Sequence, residues 1–379
     1  MKHQTITHTA SVAAADLARA VAFARQPVER RNAIPVLDTV LLRFEPGRAT
    51  VCGTDLDTHC EMSVEAECDA PFGLCVTPDR IASVARIAGK ERVEITLTPP
   101  RRDAVATCEV RAGDLSARFY SIIPDADFPT FSTPEGDGVA AAQIAERELH
   151  RLLGDTIPCI STEETRYYLN GVYMHAQEDG TLRAVATDGR RLALRRSEVA
   201  FPATLNGILP RRAAQILHRA LRADGNATIT LAGTGLKQVV TPDSGDWRIC
   251  YKMIDGTFPD YERVIPKDAP TWSIPVSLGM IRRAMSFASP GIFGRGSGHV
   301  LKFDLPAGKL SARLDDASEV TFPLSGATGD VVVGFNGHYL RDFLRRNSPA
   351  VLRSKGPGDP ALVETEDPML TQVIMPVRV

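Results

Sequence analysis

The sequence predicts an α+β fold built three times over. Three observations predict it: an amphipathic helix pattern that recurs, apolar-alternating strands after each copy, and a second helix within each period. The first helices are read at residues 11–25 (SVAAADLARAVAFAR), 144–160 (IAERELHRLLGDTIPCI) and 276–289 (VSLGMIRRAMSFAS). Their starts lie roughly 130 residues apart, one domain's length. A half-buried strand follows each, at 34–45, 166–177 and 299–305, and a second strand at 49–57, 182–194 and 310–320. Second helices are read at 78–88, 210–221 and 336–346. The first two copies end in matching turns, DADFPTF and DGTFPDY, and the third ends on a strand at 370–379. Linkers rich in Pro, Gly and Asp, at 132–138 and 266–270, give domains 1–134, 138–266 and 270–379, each with two helices packed on antiparallel sheets.

Composition narrows the function classes. A chain of 379 residues with 44% apolar content is ordinary globular usage, and no apolar run approaches the roughly 20 residues of a membrane span. The N-terminal stretch lacks the basic start, apolar stretch and cleavage site of a signal peptide, which predicts a cytoplasmic protein. Seven cysteines without Cys-x-x-Cys or zinc spacing read as reduced, mostly buried thiols; no metal and no cofactor is expected. A net charge of −2 cannot carry nucleic-acid binding by bulk attraction, so any DNA contact must rest on local basic faces or on topology.

No hydrolase elbow, zincin motif or phosphate loop is present. Residues 291–298 (GIFGRGSG) lack the Lys-Ser/Thr of a phosphate loop and read as a loop. His3, His8, His59, His175 and His299 show no ligand pattern, and Asp55, Asp57, Asp188, Asp315 and Asp316 occupy similar places in different repeats, as turn or strand-end residues do. The sequence therefore predicts no active site. Arginine is distributed more regularly. Arg80 and Arg86, then Arg211, Arg212, Arg219 and Arg222, then Arg341, Arg345 and Arg346 fall on the second helices, and Arg19, Arg147, Arg151, Arg282 and Arg283 on the first. Such charge solubilises any surface helix, but its recurrence on equivalent helices fits one basic face that meets phosphates without reading sequence.

Local strings then become specific. RYYLNG at 166–171, ATDGRRLAL at 186–194, FPDYERVIP at 258–266 and MPVRV at 375–379, with RNAIPVL, GTDLD and GFN, resemble the bacterial DNA polymerase III beta subunit family in order along essentially the whole chain. The resemblance implies three DNA-clamp domains, a head-to-tail homodimeric ring around duplex DNA, and a non-catalytic processivity factor that tethers DNA polymerase. It further implies DNA polymerase, clamp-loader and repair partners bound through a short linear peptide. The implied peptide pocket is Leu169, Thr187, Gly189, Arg190, Arg191 and Leu192, with Pro259, Arg263 and Val264, and Val373, Ile374, Met375, Pro376, Val377, Arg378 and Val379: an apolar groove rimmed by Arg. The implied DNA contacts are Arg31, Arg80, Arg166, Tyr167 and Tyr168; the basic-helix pattern adds Arg211 and Arg212. Departures from the family pattern are Arg190 where His is usual, Val379 where Leu is common, and altered stretches at 289–299 and 315–319 in the third copy. They keep open a second reading, a divergent clamp paralogue acting as a monomeric adaptor or accessory factor for a plasmid, phage or repair polymerase.

Overall fold

The computed structural model describes all residues except 1–6, 30–31, 100–105, 121–122, 132, 135–137, 288–299 and 314–317. Expectations placed on His3, Arg31, Asp315, Asp316, His299 and the stretch 291–298 lie outside the described residues.

The first repeat runs β1 (His8–Ala13), α1 (Ala14–Ala24), β2 (Val40–Glu45), β3 (Gly47–Thr54), β4 (Thr58–Cys68), β5 (Phe72–Val76), α2 (Pro78–Ala88), β6 (Arg92–Thr98), β7 (Thr107–Ala112), β8 (Leu115–Tyr120) and a two-residue β9 (Ile123–Pro124). The second runs β10 (Ala140–Ala145), α3 (Glu146–Thr156), β11 (Gly171–Ala176), β12 (Thr181–Thr187), β13 (Arg191–Ala200), β14 (Gly207–Pro210), α4 (Arg211–Ala220), β15 (Thr228–Thr234), β16 (Lys237–Pro242) and β17 (Trp247–Lys252). The third runs β18 (Trp272–Val276), α5 (Leu278–Phe287), β19 (Val300–Asp304), β20 (Lys309–Arg313), β21 (Glu319–Pro323), β22 (Val332–Asn336), α6 (Gly337–Leu344), β23 (Ala350–Ser354), β24 (Ala361–Glu364) and β25 (Leu370–Ile374). Apart from β9, the order is the same in all three: strand, helix, four strands, helix, three strands. The fold is α+β with antiparallel sheets, as expected.

Three differences from the sequence reading share one cause, which is that pairing decides strands where local propensity does not. Each first helix starts two or three residues late because a strand precedes it. β10 is rich in Ala, a helix former, yet Ala142 and Ile144 are buried in register with Leu231 and Ile229 of β15. The single strand expected at 182–194 is a hairpin, since Gly189 takes φ +83°, a left-handed conformation that ends β12 and starts β13. The strands expected to begin at 34 and 166 begin at Val40 and Gly171, after short 3-10 turns.

The described residues form two compact units, Met1–Leu149 with Gln215–Met253 and His150–Ala214 with Ile254–Val379. The second repeat is shared between them because each of its sheets is extended by a neighbouring repeat: β17 pairs with β4 in the first unit, and β13 with β25 in the second. In the first unit α1 packs against α2 and over β3 and β4. Gly53 is required there, because a Cβ would sit 2.0 Å from the Ala24 carbonyl oxygen. Leu17, Val21, Val51, Ile81 and Ile95 fill the core. In the second unit Trp272, Phe303, Phe335 and Phe343 are fully buried, with Phe303 edge-on to Phe335 at 6.0 Å, and α5 packs on α6. Each such side chain contributes roughly 1.5–3 kcal/mol by leaving water.

Candidate functional site

The string ATDGRRL builds a rigid corner of the second unit. Asp188 Oδ1 accepts the backbone N–H of Arg190 at 2.9 Å and of Arg191 at 3.0 Å, while Thr187 Oγ1 donates to the Arg191 carbonyl at 2.8 Å and accepts the Gly189 N–H. These are the local side-chain bonds that Asp and Thr offer a turn. β25 then lies along β13, Ile374 opposite Arg191 and Val373 opposite Leu192. The chain beyond it is pinned twice, by Met375 N–H to the Arg190 carbonyl at 2.8 Å and Val377 N–H to the Gly334 carbonyl at 2.9 Å. Gly334 allows this approach, since a Cβ there would sit 2.8 Å from the Val377 carbonyl oxygen.

Of the apolar residues expected to line the pocket, Leu169, Leu192 and Val373 belong to one buried cluster with Phe258 and Tyr261, and Ile374 is fully buried. Val264, Met375, Val377 and Val379 instead present 36–58% of their surface to solvent. Arg190, Arg263, Pro259 and Arg378 are exposed and Pro376 is half-buried. Arg191 is not a rim residue. Its guanidinium bonds Asp188 Oδ2 and Asp342 Oδ2, both at 3.0 Å, and lies 4.1 Å over the Tyr339 ring. Burial works against its charge, but these carboxylate partners hold its pKa above the ordinary arginine value.

The expected DNA contacts separate into outward and packed side chains. Tyr167 is 54% exposed, whereas Tyr168 packs against the Leu169 cluster and meets Tyr167 edge-on at 5.8 Å. Arg166 is exposed and pairs with Glu163 at 3.3 Å. Arg80 on α2 and Arg211 at the start of α4 are exposed, and Arg212 is half-buried. The other helical arginines, Arg19, Arg86, Arg147, Arg151, Arg219, Arg282 and Arg283, are exposed as well, Arg341 is half-buried, and Arg222, just past α4, and Arg345 and Arg346, just past α6, are exposed.

Two family models match the chain: the DNA polymerase III beta subunit N-terminal domain over residues 9–132 and its central domain over 143–260. The beta sliding clamp of Caulobacter vibrioides is 31% identical, with 96% of this chain and 98% of that protein aligned. This chain belongs to the beta sliding clamp family. A solved Caulobacter crescentus beta sliding clamp superposes with a TM-score of 0.86 at 29% identity, covering 99% of this chain and all of that one. A Bartonella birtlesii sliding clamp, solved bound to griselimycin, gives 0.86 at 28% identity over the same share of this chain and all of that one.

Family motifs did not reveal two buried polar clusters. Arg195 on β13 reaches Asp155 on α3 and Asp367 beside β25, each at 2.8 Å, and its side chain is 5% exposed. Burial pushes the Asp367 carboxyl up, but the Arg195 bonds prevail and hold it below its ordinary pKa. In the first unit, Glu61 on β4 accepts Arg248 of β17 at 2.9 Å and the Cys52 thiol of β3 at 3.6 Å, and His59 Nε2 lies 3.6 Å away. Burial again opposes ionisation, yet His59 and Arg248 win and bring Glu61 down to about 2. The partners are distant in sequence or meet only through strand register, so no spacing rule exposes them. His59, read from the sequence as unpartnered, is thus part of a cluster.

Proposed function

We propose that this chain acts as a DNA sliding clamp: a head-to-tail homodimeric ring that retains duplex DNA by enclosure, catalyses no reaction of its own and tethers a DNA polymerase through a peptide pocket on its second unit. The alternation of strand pairing carries the ring. In each repeat the third of the four middle strands is β4, β13 or β21, and the last long strand is β8, β17 or β25. β4 pairs with β17 and β13 with β25, each joining one repeat to the next. The same rule applied once more joins β21 to β8, and among the described residues both stand at the ends of their sheets. Within one chain they are unpaired edges, which proteins rarely leave exposed without purpose. Between two chains they complete the series, a heterologous contact that closes after two copies.

Enclosure suits the charge of the chain. At net −2 the ring is not glued to phosphate, and the exposed arginines of the helices supply weak, screened contacts along which it slides. Tethering raises the effective concentration of a polymerase at the primer end, so a released polymerase rebinds intramolecularly. The exposed Val264, Met375, Val377 and Val379, above a buried Leu and Val floor, fit an extended peptide with Leu and Phe anchors; exposed Arg190, Arg263 and Arg378 set its polar rim. The family's DNA contacts carry over here to Arg31, Arg80, Arg166, Tyr167 and Tyr168, and the basic helices add Arg211 and Arg212.

Truncation after Ile374 tests the pocket. A fluorescent peptide carrying Leu and Phe is expected to bind the full chain and to lose at least tenfold in affinity to the truncated one, with the unfolding midpoint nearly unchanged. Equal binding to both proteins refutes the pocket.

A further inference from the structure

The cluster around Glu61 brings a thiol, an imidazole and a carboxylate together. Cys52, His59 and Glu61 offer one ligand atom each, all within 4.8 Å of one another, and all three residues are buried. Cys52 faces Glu61 across the β3–β4 hairpin, and Thr54 faces His59, so the three donors share one face of the sheet. The opposite face, through Val51 and Met62, is buried as well, and Cys52 also packs with Leu41, Cys75 and Phe128.

We propose that Cys52, His59 and Glu61 form a binding site for a divalent metal ion of the zinc class. Thiolate, imidazole and carboxylate are the donors such an ion takes in tetrahedral geometry. At ordinary zinc bond lengths, tetrahedral ligand atoms stand about 3.3–3.6 Å apart. Here Cys52 Sγ and His59 Nε2 each lie 3.6 Å from Glu61 Oε2. The Sγ–Oε2 separation is that of a thiol hydrogen bond, and both separations suit two ligands of one ion once the ion displaces the thiol proton. His59 supplies the second observation. Its side chain is 9% exposed, its Nε2 is directed at Glu61 beyond hydrogen-bond length, and its Nδ1 is buried without a hydrogen-bond partner among the described residues. A buried ring so poorly satisfied needs a reason to be there.

The surroundings complete the site. Arg248 bonds Glu61 Oε2 at 2.9 Å, the oxygen that also accepts the Cys52 thiol, and orients the carboxylate as outer partners of metal ligands do. Phe131 stacks on the His59 ring at 6.1 Å and limits its rotation. Cys250 is in register with His59 across β4–β17 and buried, outside the group of three whose ligand atoms lie within 4.8 Å of one another. A cavity of about 160 Å³ lined by Arg48, Glu61, Ser63, Asp246, Trp247 and Arg248 opens beside the carboxylate. An ion here would tie β3 to β4 at the edge that receives β17, strengthening the pairing of first and second repeats.

The test is titration of the chelator-treated full-length chain with Co²⁺ and Zn²⁺. The expected result is one Co²⁺ per chain with a thiolate-to-metal charge-transfer band, displaced by Zn²⁺, and an unfolding midpoint raised a few degrees by Zn²⁺. Cys52→Ser and His59→Gln, each checked for fold by circular dichroism, should lose the band and at least tenfold in affinity, while Cys108→Ser keeps both. Using two ligand variants guards against one failing to fold. A wild-type chain with no thiolate band, a band that survives in either ligand variant, or one lost equally in Cys108→Ser overturns the site.

Discussion

The two joints between repeats are made the same way and used differently. At β4–β17 and at β13–β25, a last strand adds antiparallel to the third middle strand of the preceding repeat. The backbone is the same solution applied twice. The side chains are not: the first joint carries Cys52, His59, Glu61 and Arg248, while the second carries the Arg195–Asp155–Asp367 bridge and the exposed end 375–379. Repetition explains the architecture, and the copies diverge in the side chains at their joints.

Removing charge from the second joint should have the largest effect. Arg195→Met leaves Asp155, 5% exposed, without its cation, and breaking a buried pair this way costs about 3–5 kcal/mol. Urea unfolding should show that loss; a change below 1 kcal/mol would mean that Asn347, 3.4 Å from Asp155, suffices. The first joint should respond to acid. Glu61 titrates at about 2 when folded, below an ordinary carboxylate, so its stabilisation is complete above about pH 5 and is lost as pH falls through about 2. The wild-type chain should exceed Glu61→Gln in stability by about 2 kcal/mol at pH 7, a margin that closes toward pH 2. A constant gap would show that packing, not charge, is responsible.

Smaller effects separate surface from support. Val377→Asp preserves the backbone bond to Gly334 but charges the exposed patch, and should weaken a Leu/Phe peptide by about 1–2 kcal/mol without moving the unfolding midpoint. Tyr167→Ala should change stability by less than about 0.5 kcal/mol, because Tyr167 is mostly exposed, while Tyr168→Ala, packed on the Leu169 cluster, should cost clearly more. Equal costs would place both rings in the core.

Some of this was legible in the sequence and some was not. The helix at 78–88 was read at its observed limits because Pro78 at its start and Gly89 after its end punctuate it. β1 and β10 were hidden because SVAA and AAAQIA suit a helix locally and become strands only when β6 and β15 pair with them. The turn at 187–191 was recognised as a motif, but the role of Arg191 was not, since Asp342 lies 151 residues away. The Cys52, His59 and Glu61 cluster needed the register of a hairpin that the sequence does not state.

The account rests on the strand series closing between two chains, and the mass in solution tests that most directly. Sedimentation equilibrium at micromolar concentration should give a dimer, with a shift to monomer when exposed Tyr120, at the end of β8, is replaced by Asp. A wild-type chain that sediments as a monomer would contradict the ring and leave the monomeric adaptor as its reading.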